Sequence, residues 1–292
     1  MLKRLQFLTS GESHGRGLLG ILDGLPAGIE ISENYINLQL KRRQMGHGRG
    51  GRMKIEKDRA QILGGVRHGI TLGSPLGILI NNLDWENWTK KMSVEPVDEE
   101  IKPVTLPRPG HADLAGIHKY EFDDIRNVLE RSSARETTMR VALGSVCRKL
   151  LEDVGIHIGS RVVQIHDVKD ELKYQLPPKI MNDNADKSPV RCLDKSAEKE
   201  MIAVIDKAKK AGDSVGGIFE VIATGVPYGL GSYSQWNNKL QARISTMMMS
   251  INAFKGIEIG SGFKSASEFG SKVHDEIGHE NGKFIRYTNN AG

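Results

Sequence analysis

Apolar residues along the chain follow two periodicities, one typical of strands and one typical of helices. Short runs rich in Leu, Ile and Val, each closed by Gly, Pro, Asn or another polar residue, predict β-strands. These runs cover 18–22, 76–80, 158–165 and 218–223. Helical spacing predicts a long helix over 125–151 with a polar window at 131–138, and shorter helices at about 195–211 and 236–253. The chain is therefore expected to fold as an α+β protein.

A Gly-rich pattern occurs twice with the same spacing. Gly-Glu-Ser-His-Gly at 11–15 is matched by Gly-Asp-Ser-Val-Gly at 212–216, and Gly-Leu-Pro-Ala-Gly-Ile at 24–29 is matched by Gly-Val-Pro-Tyr-Gly-Leu at 225–230. An internal duplication explains the pattern, and chance similarity between Gly-rich turns is the alternative. Because only the first copy carries an imidazole, the turn itself does not require His14, which favours a chemical role for this residue.

The predicted organisation is a single domain, 1–292, built from two pseudo-repeats of about 5–150 and 205–292. Each repeat is expected to contribute a strand–turn–helix unit, and the two units are expected to pack about a pseudo-twofold axis. The charged segment 167–194 contains Pro and Asn residues and has weak periodicity, so it is expected as a surface excursion between the halves.

Composition narrows the classes of function. A net charge of +5 and a pI near 9.1 predict affinity for anions. No run approaches the roughly 18 apolar residues of a membrane span, and the apolar stretch at 5–8 is too short for a signal-peptide core. A cytoplasmic protein without membrane association is expected. Two cysteines, Cys147 and Cys192, are too few for a disulfide framework or a cysteine-rich zinc site.

The low aromatic content of 5% argues against nucleic-acid binding, because no strip of aromatic and basic residues is visible on which unpaired bases could stack. A small anionic ligand is the favoured partner. No pattern for a Rossmann nucleotide site, a Walker loop, a zinc site or a Gly-x-Ser-x-Gly nucleophile is visible either.

A basic, glycine-spaced loop at 41–54 contains six Lys and Arg residues. Guanidinium groups bind phosphate and carboxylate oxygens in pairs, and glycine lets the backbone approach a ligand closely. The loop is therefore a candidate anion clamp. A solvated basic loop or an RNA-binding Arg-Gly segment would have the same composition.

Two further polar segments carry candidate chemistry. Arg-Pro-Gly-His-Ala-Asp at 108–113 places His111 after a Pro-Gly turn, and histidine is the side chain best suited to proton transfer near neutral pH. A structural turn histidine is the alternative, for His111 as for His14. The segment 131–138 puts hydroxyl and guanidinium groups within a helical pattern. Ligand contact explains these groups better than packing does, although a hydrogen-bonded helix crossing stays open.

Five motifs, taken together and in this order, resemble the chorismate synthase family. They are Gly-Glu-Ser-His-Gly at 11–15, Gly-Arg-Gly-Gly-Arg-Met at 48–53, Arg-Pro-Gly-His-Ala-Asp at 108–113, Arg-Ser-Ser-Ala-Arg-Glu-Thr at 131–137 and Ser-Ile-Asn-Ala-Phe-Lys-Gly at 250–256. The resemblance covers the whole chain. It implies a lyase of the shikimate pathway that makes chorismate from 5-enolpyruvylshikimate 3-phosphate by anti-1,4-elimination of phosphate. Reduced FMN is the implied cofactor, with no net redox change.

The resemblance also implies a fold and an assembly. The family has a β-α-β sandwich with internal pseudo-twofold duplication, and it assembles as a homo-oligomer, a tetramer. The implied partners are a small anionic substrate and other copies of the chain, with no nucleic acid and no membrane.

Individual residues take roles from the resemblance. His14, with Ser13 beside it, resembles the acid that protonates the departing phosphate, and His111 resembles the residue that protonates reduced flavin. Ser132 is included with this catalytic group. The implied clamp for phosphate and carboxylates consists of Arg43, Arg49 and Arg52. The implied flavin contacts are Arg131, Ser132, Ser133, Asn252 and Ala253, and no metal is implied.

The chain departs from the family pattern at several points. His47 stands where tyrosine is usual, and Asn237 and Gln241 stand where aspartates are usual. The chain ends at Gly292, where the family continues for about a hundred residues through a Lys-Pro flavin-phosphate segment and an Arg-Ser-Asp motif. The second half is therefore expected to be incomplete, with weak FMN binding and little turnover. An active lyase, an inactive homologue that binds ligand or assembles, and a basic nucleic-acid-binding protein are the three candidate functions.

Overall fold

The computed structural model of the protein describes residues 4–50, 55–172 and 175–291. The chain has mixed α/β structure and divides into two compact units, a large unit, Leu2–Tyr228, and a small unit, Gly229–Gly292. In the described ranges, no helix combines the length and the apolar character needed to cross a bilayer.

The large unit contains most of the strands and helices. Its strands are β1 (Gln6–Ser10), β2 (Gly17–Asp23), β3 (Ala60–Gly64), β4 (Val66–Arg67), β5 (Ile70–Thr71), β6 (Leu76–Asn81), β7 (His157–Ile165), β8 (Val168–Lys169) and β9 (Gly217–Thr224). Its α-helices are α1 (Glu33–Gln44), α2 (Asp113–Tyr120), α3 (Arg126–Leu129), α4 (Thr137–Asp153), α5 (Pro178–Ala185) and α6 (Lys195–Lys210). Short 3₁₀ helices lie at Trp85–Asn87 and Ala134–Glu136.

The first sheet of the large unit is antiparallel, with strand order β1-β2-β6-β3. Leu18 pairs with Ile80 and Leu22 pairs with Leu76, so these four side chains point to the same face. All four are buried, because α1 and α4 cover that face. Gly20 lies on β2 under α4, where a side chain would collide with a methionine of that helix.

Helix α1 places a group of cations at its C-terminal end. Ser32 caps the first turn by accepting a hydrogen bond from a backbone N–H group, and Ile36 and Leu40 are fully buried. Cations in the last turn interact favourably with the negative end of the helix dipole. The last turn of α1 contains Lys41, Arg42 and Arg43.

The second sheet of the large unit has strand order β8-β7-β9 and is also antiparallel. Helix α5 packs against β7 and buries Met181, while Cys192 and Met201 belong to a smaller apolar core. The segment 167–194, predicted as a surface excursion, thus contains a helix that packs on the second sheet. The segment is polar because α5 is amphipathic, with only one face turned toward the sheet.

The four predicted strands are confirmed as parts of β2, β6, β7 and β9, but two helix predictions are wrong. The predicted helix over 125–151 is divided into α3 and α4. At Ser133 the backbone is extended, with φ −61° and ψ 146°, and the hydroxyl accepts a hydrogen bond from the backbone N–H of Arg135. This local bond replaces the helical one. The helix predicted over 236–253 forms only in its middle part, as α7 (Leu240–Met249).

The small unit contains α7 and a C-terminal hairpin. Its other elements are the 3₁₀ helices Trp236–Asn238 and Gly262–Ser267, helix α8 (Gly270–Val273) and the strands β10 (Ile277–Glu280) and β11 (Lys283–Arg286). Asn237 lies in the 3₁₀ turn before α7, and Gln241 lies in the first turn of α7. Strands β10 and β11 pair antiparallel.

Gly24, which follows β2, is expected to tolerate no side chain. Its φ is +85°, and an added Cβ would lie 1.9 Å from the carbonyl oxygen of Arg4. Gly24→Ala should therefore lower the free energy of unfolding by about 2 kcal/mol or more, through backbone strain and steric overlap together. Gly28→Ala is the matched control, because Gly28 has a φ of +95° but open space where its Cβ would lie. Urea denaturation measures both, and equal stabilities would contradict the steric argument.

Candidate active site

The loop between β1 and β2 carries the Gly-Glu-Ser-His-Gly motif. Gly11 turns the chain with a φ of +102°, and an added Cβ would lie 2.3 Å from the first carbonyl oxygen of β2. Asn82, which follows β6, donates from Nδ2 to the carbonyl oxygens of Glu12 and Gly15 at 3.1 and 2.8 Å. These contacts fix the shape of the loop, so the two side chains between Glu12 and Gly15 have a defined position.

His14 is held by a buried carboxylate and by an indole ring. Its Nδ1 lies 2.8 Å from Oε1 and 3.0 Å from Oε2 of Glu130, and its backbone N–H donates to Oε2 at 2.8 Å. The imidazole also stacks on Trp88, with ring centroids 3.8 Å apart and an interplanar angle of 22°. The ring is therefore restrained both in its plane and across its face.

The segment 131–133 meets the same loop. The hydroxyl of Ser133 donates to Oγ of the buried Ser13 at 3.1 Å. The guanidinium of Arg131 donates to the carbonyl oxygens of Thr9 at 2.8 Å and of Gly11 at 3.2 Å. The structure thus brings Ser13, His14 and the segment 131–133 together. The guanidinium of Arg131 is largely occupied by its hydrogen bonds to the end of β1 and the loop that follows.

Arg135 is a buried cation at the centre of this region. Its Nε donates to Oδ1 of Asn82 at 3.0 Å, and its Nη1 donates to Oδ1 of Asp58 at 2.5 Å. Its Nη2 lies 3.4 Å from Oε2 of Glu56. All four side chains are buried. Because Asn82 also holds the loop of His14, Arg135 links that loop to the two carboxylates.

Arg43, the first residue of the predicted clamp, reaches from α1 to the start of α4. Its Nη2 donates to the carbonyl oxygen of Ala134 and to Oγ1 of Thr137, each at 3.0 Å. Its Nη1 lies 3.8 Å from Oδ2 of Asp58, which is an ion pair but not a hydrogen bond. Burial lowers the pKa of Arg43 to about 10. Because this value is still well above neutral pH, the side chain stays cationic there.

The segment 41–54, predicted as one basic loop, begins as the last turn of α1, and its described part after that helix, residues 45–50, lies against α6. Its backbone is held by Arg49, whose Nε donates to the carbonyl oxygen of Met45 at 2.7 Å. His47 places Nε2 2.7 Å from Oδ1 of Asp206 on α6. Arg52, the third predicted clamp residue, lies outside the described residues.

His111 lies on a separate turn of the large unit. Among the described residues, its imidazole forms its hydrogen bond within that turn, from Nδ1 to the carbonyl oxygen of Pro109 at 3.0 Å. The turn is braced by Arg108, whose guanidinium donates to both carboxylate oxygens of Asp113 at 2.8 and 2.9 Å. This hydrogen bonding lowers the pKa of Asp113 to about 2. The hydrogen bond of the His111 imidazole does not reach the cluster around His14, although Arg108 of the same turn interacts electrostatically with Glu130.

Asn252 and Ala253 belong to the small unit and follow the end of α7 by a short turn. Ala253 has a φ of +69°, a left-handed backbone conformation that residues other than glycine rarely adopt. Such strained positions cluster at ligand-binding sites.

Several residues that hold the candidate site were missed by sequence reasoning. Glu130 directly precedes the Arg-Ser-Ser segment. Its acidic side chain next to these candidate site residues was the one feature of the sequence that could have identified it as part of the site. Trp88, Asn82 and Asp58 carry no local signal, because their contacts depend on how the strands of the first sheet pair.

The arrangement is suited to protonating an anionic leaving group. A restrained imidazole can carry and give a proton near neutral pH, and guanidinium groups attract and orient phosphate. Among the residues that the structure describes, no group of three or more His, Cys, Asp or Glu side chains is placed to hold a metal ion.

Known proteins of one family match the chain in sequence and in structure. The chorismate synthase family model matches residues 5–292. Chorismate synthase of Aquifex aeolicus is 52% identical over 300 aligned residues, which cover 100% of this chain and 75% of that protein. The enzyme of Listeria welshimeri is 52% identical over 293 residues, covering 99% and 75%. A crystal structure of chorismate synthase matches with a TM-score of 0.83 and 45% identity, covering 99% of this chain and 79% of that chain.

Proposed function

The chain belongs to the chorismate synthase family, and we propose that the cluster around His14 supplies the acid for its reaction. The protein is a carbon–oxygen lyase of the shikimate pathway, which removes phosphate from 5-enolpyruvylshikimate 3-phosphate by 1,4-elimination to give chorismate for aromatic amino-acid synthesis. The observation that carries the proposal is the imidazole of His14, held in one orientation by Glu130 and Trp88.

The departing phosphate takes the electron pair of a C–O bond, so it needs a proton and cationic partners. His14 is proposed to give the proton, with the hydroxyl of Ser13 beside it. The clamp for phosphate and carboxylates is proposed to consist of Arg43, Arg49 and Arg52. His111, exposed on its own turn, is proposed to supply a proton to the reduced flavin.

Family membership implies reduced FMN as the cofactor. Its phosphate, hydroxyl and carbonyl groups accept hydrogen bonds from guanidinium, hydroxyl and amide groups. Arg131, Ser132 and Ser133 carry guanidinium and hydroxyl groups in one short segment beside the His14 loop, where Arg131 also donates to Thr9 and Ser133 donates to Ser13. In the small unit, Asn252 carries an amide and Ala253 has a left-handed backbone. The groups at 131–133 fit the acceptors of the cofactor, and we propose Arg131, Ser132 and Ser133 as its contacts in the large unit. Within the small unit, Asn252 and Ala253 are proposed as flavin contacts. When bound, the reduced flavin supplies the electron-rich ring that assists the elimination without net redox change.

The glycines that follow β2 and β9 support an internal duplication. Gly24 and Gly28 have φ values of +85° and +95°, and Gly225 and Gly229 have φ values of +74° and +90°. Each pair follows the second strand of an antiparallel pair, and both Gly24 and Gly225 lie tightly against the backbone beside the partner strand. The family's β-α-β sandwich with a pseudo-twofold axis is therefore proposed for this chain.

The outer face of the first sheet supports self-association. Leu8 and Leu63 are 75% and 61% exposed on the face opposite α1 and α4, and Leu19 and Ile21 lie beside them with 37% and 40% exposure. Contiguous exposed apolar surface marks association sites. A homo-oligomer, the tetramer of the family, is proposed and can be measured by sedimentation.

Turnover in the presence of chemically reduced FMN tests the proposed function. The purified protein is incubated without oxygen with 5-enolpyruvylshikimate 3-phosphate and reduced FMN, and chorismate and phosphate are measured separately. Equal amounts of both products are expected. Bound flavin and substrate without either product would show an inactive homologue instead.

Arg49→Ala is expected to weaken substrate binding by about 2 kcal/mol, or about 30-fold in Kd, because it removes one charge-assisted contact to an anion. The control is Lys195→Ala, which removes an exposed cation from α6 and should leave Kd unchanged. Calorimetric titration of substrate into the flavin-loaded protein measures both values. An unchanged Kd in Arg49→Ala would identify the basic loop as solvated.

A further inference from the structure

Glu130 is joined to the His14 loop through its backbone and through both of its carboxylate oxygens. Its carbonyl oxygen accepts a hydrogen bond from the backbone N–H of Ser13 at 3.0 Å. Its Oε2 accepts from the backbone N–H of His14 at 2.8 Å, and both carboxylate oxygens lie within 3.0 Å of Nδ1 of the imidazole. The residue thus fixes the loop and the orientation of the ring together.

The hydrogen bond to the loop backbone does not by itself require a charged side chain at position 130. The side chain of Glu130 is only 2% exposed, and a buried carboxylate is costly unless it is paired. An amide oxygen would satisfy the backbone N–H of His14 equally well. A carboxylate, unlike an amide, presents an acceptor to Nδ1–H at either oxygen and balances the positive charge of a protonated ring. The contact with Nδ1 therefore accounts for an acid at this position.

Other charged groups face this pair from neighbouring elements. Arg108, on the turn before α2, interacts electrostatically with Glu130. Lys91 lies 5.3 Å from the centroid of the Trp88 ring, and Glu12 precedes His14 by two residues in its own loop. Glu130 lies at hydrogen-bond distance from Nδ1 through both carboxylate oxygens.

Trp88 adds a second restraint on the imidazole. Its indole stacks on the ring of His14, and its Nε1 donates to Oδ2 of Asp84 at 2.9 Å, which fixes the indole in turn. A rotation of the imidazole that exchanged its two nitrogens would break the Nδ1 contacts with Glu130. The nitrogen that faces Glu130 is therefore defined by the structure.

We propose that Glu130 is a positioning residue for the elimination, which keeps a proton on Nδ1 of His14 and so makes Nε2 the nitrogen that protonates the departing phosphate. This inference rests on the proposed role of His14 as the acid. In that step the C–O bond to phosphate breaks, its electron pair goes to the phosphate oxygen, and that oxygen takes the proton from Nε2. The imidazole is left neutral, with its remaining proton on Nδ1 toward Glu130.

Glu130→Gln tests the role kinetically, because the amide retains the size of the side chain but loses the charge. Its kcat is expected to fall about tenfold or more, with KM changed by less than about threefold, as for other carboxylates that orient a catalytic histidine. Glu130→Asp keeps the charge and should recover part of the lost kcat. Glu152→Gln is the matched control, because Glu152 accepts hydrogen bonds from Tyr35 and Arg148 on the other end of α4. Its kcat should equal that of the parent.

The ring tautomer of His14 gives a readout that does not depend on turnover. In protein with ¹⁵N-labelled histidine, the neutral ring of the parent is expected to carry its proton on Nδ1. Glu130→Gln should shift population toward the Nε2–H tautomer, and Glu130→Asp should keep the parental tautomer. His14→Gln marks the signal by removing it. These spectra report on the Glu130 contact even in protein that does not turn over.

The outcomes separate the two proposals. Parental kcat and parental tautomer in folded Glu130→Gln would overturn the positioning role. A tautomer shift in Glu130→Gln together with full turnover by His14→Gln would retain the contact but reject His14 as the acid. If Glu130→Gln does not fold, Glu130→Asp decides alone, since a folded Glu130→Asp that retains the charge but loses the parental Nδ1–H tautomer would also overturn the inference.

Discussion

Replacing His14 by Ala is expected to lower kcat about a hundredfold or more, because the departing phosphate then loses its general acid. Substrate binding should change little, since the proposed clamp lies on α1 and the basic loop rather than on the loop of His14. Steady-state kinetics with reduced FMN and 5-enolpyruvylshikimate 3-phosphate measure kcat and KM separately. A loss confined to kcat is the expected result.

Two further variants make this result specific. His14→Gln retains a hydrogen-bond donor toward Glu130 but cannot titrate, so it should lose as much kcat as His14→Ala while unfolding close to the parental temperature. His118→Ala removes an exposed histidine of α2 and should leave kcat at the parental value. Parental turnover in both His14 variants would show that another group protonates the phosphate.

The parts of the fold that the sequence predicts are those controlled by short-range periodicity. The run at 76–80 forms β6 because Leu76, Ile78 and Ile80 alternate toward one buried face and the flanking residues end the strand. The divided helix at 125–151 could not be predicted from spacing, because apolar positions continue on both sides of the interruption. At the break the backbone of Ser133 is extended, and its hydroxyl accepts a hydrogen bond from the backbone N–H of Arg135.

Local sequence patterns predict even fewer of the contacts in the candidate site. His14, Ser13 and the segment 131–133 were predicted as site residues by motif, and the structure brings them together. Glu130 and His14 are 116 positions apart, and no local pattern pairs them. Arg135 lies in 131–138, which was singled out from the sequence for its polar residues. Its burial against Asp58 could not be predicted, because it requires the residues before β3 to lie next to the start of α4. Such contacts are set by tertiary packing.

Arg135→Ala is expected to lower the free energy of unfolding by about 3 to 5 kcal/mol, because it removes a buried cationic partner from the carboxylates of Asp58 and Glu56. The side chains of both acids are 2% exposed or less, so water cannot readily replace the guanidinium. The loss should also loosen Asn82, and with it the loop of His14. Urea denaturation of the parent and variant measures the change in stability.

Two comparisons assign the effect to the buried charges. Arg148→Ala breaks a helical surface pair with Glu152, with both side chains about a quarter exposed, and should cost less than about 1 kcal/mol. Adding Asp58→Asn to Arg135→Ala removes one of the two buried carboxylates that lost the guanidinium of Arg135, so the double variant should be more stable than Arg135→Ala alone. If the second change lowered stability further, the cost of Arg135→Ala would come from lost packing volume, and the account based on unpaired buried carboxylates would be wrong.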